Sequence, residues 1–220
     1  MKNKFITVKQ AAEKITDGCV LMIGGFLGCG NPNKIIDEIV KNGTKNLTVI
    51  SNDAAFPDVG IGKLFKNGQV KKIICSHLGT NPEAGGQIND GLVENELVPQ
   101  GTLAERIRAA GCGLGGFLTP TGVGTVVETG KQKLTVNGKD YLLELPLKAD
   151  VAIFEAYKVD EAGNCYFEKS TQNFSPLMAM AADTVIVEAE HVVKTGDIAA
   201  ESVHTPHIFV DYVVKEQDHD

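Results

Sequence analysis

Asp17–Gly18–Cys19–Val20–Leu21–Met22–Ile23–Gly24–Gly25–Phe26–Leu27–Gly28–Cys29–Gly30–Asn31–Pro32 is the stretch whose reading decides the fold. Asp17–Gly18 is a turn pair. The apolar run behind it is short, partly β-branched and closed by paired glycines, which predicts a fully buried strand rather than a helix. Glycines follow at 24, 25, 28 and 30. Asn31 is a favoured N-cap and Pro32 a favoured first helical residue, so a helix is expected to begin there. A strand, a glycine-rich loop and a helix N-terminus in that order present bare backbone N–H groups and the positive end of a helix dipole. Such a junction suits an anion or a centre of developing negative charge; a tight turn with no ligand is the plainer alternative.

Working outward, Val8–Thr16 places Val8, Ala11, Ala12 and Ile15 on one helical face, and Asn33–Lys41 does the same with Ile35, Ile36, Ile39 and Val40. Leu47–Ile50 and Ile73–Cys75 repeat the buried-strand pattern. Each has polar residues at its carboxyl end, Ser51–Asn52–Asp53 and Ser76–His77 through Asn81. Strands of this kind spaced by helical material predict an α/β domain built on an open, largely parallel sheet flanked by helices. Ligands of such sheets sit at the carboxyl ends of the strands, so Gly24–Gly30, Ser51–Asn52 and Ser76–Asn81 are expected to share one site. Glu96–Val98 reads as a fourth strand. Thr102 and Glu105 have capping-box spacing for a helix over Leu103–Ala110, with Gly111 at its C′ position. Gly111–Gly130 reads as a long ordered loop, which a compact domain rarely carries without function. Asn137–Gly138 between alternating apolar residues predicts an inserted β-hairpin. Val151–Phe154 and Thr184–Val187 are further strands, Ser175–Pro176 caps a short helix, Ile208–Val214 is strand-like and Lys215–Asp220 is a charged, frayed end. No linker or repeat divides residues 1–220, which read as one domain.

With 220 residues the chain can bury one good core. A net charge of −7 without a basic stripe argues against nucleic acid as a partner. No run approaches the roughly 20 apolar residues of a membrane span, and no long apolar stretch follows Met1–Phe5, so neither a membrane anchor nor a signal peptide is expected. Five cysteines, odd in number and without a C-x-x-C pair, suit reduced thiols and a cytoplasmic location.

The chemistry-bearing residues are sparse. Gly111, Gly113 and Gly116 spell G-x-G-x-x-G, but they follow a helix rather than a strand, which argues against a dinucleotide site. The first glycine loop lacks both dinucleotide spacing and the G-K-[ST] of a P-loop. His204 and His207 are separated by Pro206 and lack a third ligand nearby, so no metal is expected. Cys29 is better read as a small apolar filler than as a reactive thiol. Glu128, Glu144, Glu155 and Glu161 sit near turns without a context that marks a nucleophile.

A family resemblance accounts for that gap. Asp17 to Pro32 resembles the glycine-rich signature of the family I coenzyme A transferases, G-G-F-x-x-x-G-x-P. The likeness continues through Ser51–Asp53, Ser76–Pro82, Pro99–Gln100–Gly101–Thr102 to Arg108, Leu118–Thr125 and Asn173–Leu177. It covers nearly the whole chain and is greatest to the alpha subunits of the bacterial acetate/acetoacetate (short-chain fatty acid) enzymes. The resemblance implies a ping-pong exchange in which a glutamate of the beta subunit, in a Ser-Glu-Asn-Gly context, attacks an acyl-CoA thioester. No Glu-Asn-Gly occurs in this sequence, so the chain is expected to be half of a heteromer, α2β2 or larger. Coenzyme A would be a substrate, with no metal or other cofactor. Gly24, Gly25, Phe26, Leu27, Gly28, Cys29 and Gly30 would lie against CoA and the acyl group. Gly25, Phe26, Asn52 and Gln100 are the candidates for donors near the oxyanion or the partner's glutamate. Acetyl-, acetoacetyl- and butyryl-CoA are the expected acyl donors. A non-catalytic acyl-CoA or phosphosugar binding module on the same scaffold is the alternative.

Overall fold

The structure, a computed structural model, describes residues 3–215. In chain order the strands and helices are β1 (Phe5–Ile6), α1 (Val8–Ala12), β2 (Val20–Ile23), α2 (Asn33–Asn42), β3 (Leu47–Ile50), α3 (Gly62–Lys66), β4 (Val70–Cys75), α4 (Pro82–Asn89), β5 (Glu94–Leu97) and α5 (Gln100–Gly111). The second half adds β6 (Phe117–Thr119), β7 (Lys133–Val136), β8 (Lys139–Glu144), β9 (Ala149–Asp160), β10 (Cys165–Tyr166), α6 (Ser175–Met180), β11 (Ala182–Val193) and β12 (Tyr212–Lys215). The main sheet runs β1-β12-β11-β9-β2-β3-β4-β5, parallel at every one of these pairings, with β10 antiparallel on β9. The predicted open parallel sheet is therefore present.

Strand periodicity sorts the core. Leu21, Ile23, Val49, Ile73, Val151 and Ile153 face α1 to α4 and meet Ile35, Ile36 and Ile39 of α2 and Leu64 and Phe65 of α3. Met22, Ile50, Ile74, Ala152 and Phe154 face the other way, onto Leu103 and Ile107 of α5 and Met178 of α6. Each of the three α2 isoleucines is fully buried, contributing roughly 1.5–3 kcal/mol. Among the described residues no helix is long and apolar enough to cross a membrane.

The order of the strands makes the crevice. From β2 the chain steps outward to β3, β4 and β5, then returns to β9 on the opposite flank of β2 and steps outward again. Connections leaving β2 and β9 diverge, so a cleft opens at their carboxyl ends.

Several local expectations are corrected. The helix at Leu103 starts at Gln100, with Pro99 as N-cap; Thr102 lies buried inside it and Glu105 pairs with Arg108, so no capping box forms. Its last residue is Gly111, and the left-handed C′ residue is Gly113 (φ 69°). There Leu114 N–H bonds Ala109 O and Gly113 N–H bonds Ala110 O, the Schellman pattern. Gly111 is required for another reason, because a β-carbon there would meet Met180 at 2.6 Å. The expected loop Gly111–Gly130 contains β6, which joins the β7–β8 hairpin in a small antiparallel sheet. That hairpin turns at Asn137–Gly138 as expected, both at positive φ. The first helix is shorter than Val8–Thr16. The Val151 strand is far longer than four residues, because it pairs with β11 along most of its length. The α6 N-cap is Phe174, not Ser175. Of the charged end, residues 216–220 lie outside the described residues.

Candidate active site

Gly24–Gly30 is a two-residue hairpin hung on the carboxyl end of β2. Phe26 and Cys29 exchange both backbone hydrogen bonds, each at 2.9 Å. Leu27 (φ 49°) and Gly28 (φ 89°) form the turn, the type I′ geometry that tight hairpins favour. Gly25 (φ 107°) has no room for a side chain, since a β-carbon would lie 2.5 Å from Asn31 Nδ2 and 2.6 Å from Cys29 O. The loop folds so closely onto its own exit that only glycine fits there.

Side chains from several elements hold this hairpin. Asn31 Nδ2 donates to Gly24 O at 2.6 Å, and its Oδ1 accepts Ile61 N–H at 3.4 Å. Asn31 is thus a strut between loop and α3, not the helix cap expected of it. Asp53, at the carboxyl end of β3, accepts Leu27 N–H at 3.0 Å through Oδ2 and Ala55 N–H at 2.6 Å through Oδ1. Glu188 of β11 accepts the N–H groups of Lys34 (3.2 Å) and Ile35 (3.0 Å) in the first turn of α2. The positive end of that helix is therefore already occupied by a carboxylate of the same chain. It is not an open anion site, which corrects the expectation built on Asn31–Pro32.

What remains to bind an incoming group is the loop backbone. The Phe26 N–H is engaged with Cys29 O and the Leu27 N–H with Asp53. Gly25, Gly28 and Gly30 are the loop residues whose N–H groups meet no acceptor among the described residues. Phe26, Phe56 and Val59 are 40–44% exposed around them, giving the hairpin an apolar rim.

The sheet brings Asn52 to the same end. Met22, Ile50 and Ile74 are in register, so Gly24, Asn52 and Ser76, two residues further on, continue that row on the α5/α6 side. Asn52 is 1% exposed and its Nδ2 has no hydrogen-bond partner, while Ser76 Oγ donates to Asn52 O at 2.8 Å. A buried donor without an acceptor costs about 1–3 kcal/mol. Ser175 Oγ, buried against Gly24, is a second orphan there. Gln100 is the exposed first residue of α5, the helix whose Leu103 and Ile107 pack against Met22, Ile50 and Ile74.

The remaining sequence candidates have structural partners. His204 Nδ1 accepts Phe167 N–H at 3.0 Å and its ring stacks on Tyr166; His207 contacts Asn164. Cys29 is exposed rather than a buried filler. Glu144 is buried against Lys131 (2.5 Å), with Arg106 Nε at 3.9 Å, and holds the small sheet to α5.

Residues 5–216 match the sequence model of the coenzyme A transferases. The acetoacetyl-CoA:acetate/butyrate CoA transferase alpha subunit of Clostridium acetobutylicum is 53% identical over 98% of this chain and 99% of its own length. The acetate CoA-transferase subunit alpha of Escherichia coli is 48% identical over 99% of both. The fold is shared with an acyl-CoA transferase of Escherichia coli O157:H7, solved as a thioester complex with CoA (TM-score 0.88, 23% identity). The likeness takes in 99% of this chain and 48% of that one, so this chain spans about half of that structure's length. Glutaconate CoA-transferase of Acidaminococcus fermentans superposes with a TM-score of 0.83 at 21% identity, over 96% of this chain and 75% of that one. A full-length sequence match and a shared open α/β sheet, with the glycine hairpin at its switch point, make this chain a member of the coenzyme A transferase family, of the alpha-subunit type.

Proposed function

We propose that this chain is the scaffold half of a heteromeric short-chain CoA transferase, working with a beta subunit that carries the nucleophilic glutamate. One observation carries the reading. The hairpin at the switch point leaves the Gly25, Gly28 and Gly30 N–H groups unengaged, while the carboxylates holding it, Asp53 and Glu188, accept hydrogen bonds from backbone N–H groups. The loop is a donor array in need of an external nucleophile.

In this mechanism the partner's carboxylate attacks the thioester carbonyl, and the carbonyl π pair moves onto oxygen. Fixed N–H donors at that oxygen are each worth about 3–4 kcal/mol. Collapse expels CoA thiolate and leaves an acyl–glutamyl anhydride. The thiolate then attacks the glutamyl carbonyl of the anhydride, releasing the first acid as a carboxylate and leaving a glutamyl–CoA thioester. A second carboxylate reverses the sequence. Gly25, Gly28 and Gly30 serve the oxyanion; the buried Asn52 Nδ2 supplies a donor to the incoming carboxylate. Gly24, Phe26, Leu27 and Cys29 form the surface on which CoA and the acyl group lie. CoA is a substrate, and the acyl groups are acetyl, acetoacetyl and butyryl, by similarity to the named relatives. Five free thiols suit a reducing cytoplasm.

The test is acetoacetyl-CoA:acetate transfer by this chain alone and after assembly with a beta subunit. Transfer only by the assembly, with mass-spectrometric trapping of a glutamyl–CoA adduct on the partner, is expected. Transfer by this chain alone overturns the half-enzyme reading. An inactive assembly that still binds acyl-CoA would favour the binding module.

A further inference from the structure

Glu188 stands in the middle of β11, two strands from β2, yet its carboxylate caps α2, the helix that leaves the glycine hairpin. It is 6% exposed. Its oxygens accept the Lys34 and Ile35 N–H groups, and α2 has no side-chain cap of its own because its N-cap residue is Pro32. The caps of α1 and α4 are local, from Thr7 and Asn81, so a helix start in this fold does not require an acceptor from a distant strand. Glu155, which pairs with Glu188 on β9, donates its N–H to Gly30 O at 3.3 Å. At the other end of the hairpin Gly24 N–H bonds Ile153 O at 2.9 Å. The β9/β11 half of the sheet therefore holds the loop at its root, its exit and the first turn beyond.

We infer that Glu188 is a positioning residue for the transfer reaction: by fixing the start of α2 against β11, it sets the direction of the Gly25, Gly28 and Gly30 N–H groups. The inference rests on the activity proposed above. Its occupation of the α2 N-terminus also means that the phosphates of CoA find no site there.

The test separates anchoring from simple capping. In the assembled heteromer Glu188→Ala is expected to lower kcat by roughly 10- to 100-fold, the cost of misplacing a reacting group by about an ångström, with KM for acetoacetyl-CoA within about two-fold. Glu188→Gln, which keeps one acceptor oxygen, should fall between. Adding Pro32→Asp to Glu188→Ala supplies a local acceptor to the same two N–H groups. Compared with Pro32→Asp alone, the double variant should recover its thermal midpoint but not its kcat. Its Gly25–Gly30 amides should exchange hydrogen roughly ten-fold faster. Recovery of kcat and slow exchange together with the midpoint would show that Glu188 is only a helix cap, and would overturn the inference. An inactive wild-type assembly would overturn the proposed activity, whereas the exchange comparison would still decide whether Glu188 anchors the loop.

Discussion

Replacing Gly25 by alanine should uncouple activity from stability. At φ 107° an L-residue is strained by about 1–3 kcal/mol. The new methyl would sit 2.5 Å from Asn31 Nδ2, 2.6 Å from Cys29 O and 2.8 Å from Asn31 N. Asn31 must withdraw, which breaks its hydrogen bond to Gly24 O at about 1 kcal/mol. The sum, about 2–4 kcal/mol, is below the usual 5–15 kcal/mol of a folded domain. The variant should fold, with a midpoint lowered by about 5–15 °C at 2–4 °C per kcal/mol. Gly18→Ala is the matched control. Gly18 also has positive φ (80°), but nothing lies within 4 Å of its β-carbon position, and it sits at the opposite end of β2. It should lose about 1–2 kcal/mol from backbone strain alone and keep full kcat. For Gly25→Ala the displaced donors should cost about 10²–10³ in kcat, read from acetoacetyl-CoA consumption by the assembled heteromer. If Gly25→Ala loses no more kcat than Gly18→Ala, the hairpin does not stabilise the transition state.

Asn52→Leu removes an orphaned buried donor, so the isolated chain should be unchanged or stabilised by up to about 1 kcal/mol in urea while transfer by the heteromer falls at least ten-fold; parallel losses of both would make Asn52 structural. Glu144→Ala leaves Lys131 without its buried partner and should destabilise the chain by about 3 kcal/mol in denaturant titration, a result that a loss under about 0.5 kcal/mol would refute. Burial, with Asp150 nearby, pushes the Cys19 thiol up to about 11; burial likewise raises Cys75 to about 12 and raises Cys165. Cys29 and Cys112 are exposed. A thiol reagent at pH 8 should therefore titrate two of the five in the native chain and all five in denaturant; more than two in the native chain would contradict the burial.

The sheet's central strands were legible as short apolar runs, and the hairpin at Asn137–Gly138 by local alternation and turn chemistry. Helix starts were less so. The same dipeptide, Asn-Pro, occurs at 31–32 and 81–82. Asn81 caps α4, its side chain accepting Ala84 N–H at 3.0 Å; Asn31 instead bridges Gly24 and Ile61. Nothing within a few residues distinguishes the two, since the difference is what the fold places opposite them. Thr102 and Glu105 failed as a capping box for a related reason. Pro99 begins the helix three residues earlier, and Arg108 takes the glutamate. The short elements α3, β1 and β10 escaped sequence reading because so few residues carry no period.

Sequence alone determined where the buried strands lie, that a turn joins two strands at Asn137–Gly138, and that a glycine-rich loop follows the first buried strand of the α/β core. Those are properties of neighbours along the chain. Only the tertiary structure decided that β9 returns beside β2 to open a crevice. It also decided that Glu188 closes the α2 N-terminus from β11, that the Phe26 and Leu27 N–H groups meet acceptors while those of Gly25, Gly28 and Gly30 meet none among the described residues, and that Asn52 lies in one row with Gly24 and Ser76. The physical reason is that a polar group's role is set by whether its partner arrives, and here the partners come from up to 154 positions away.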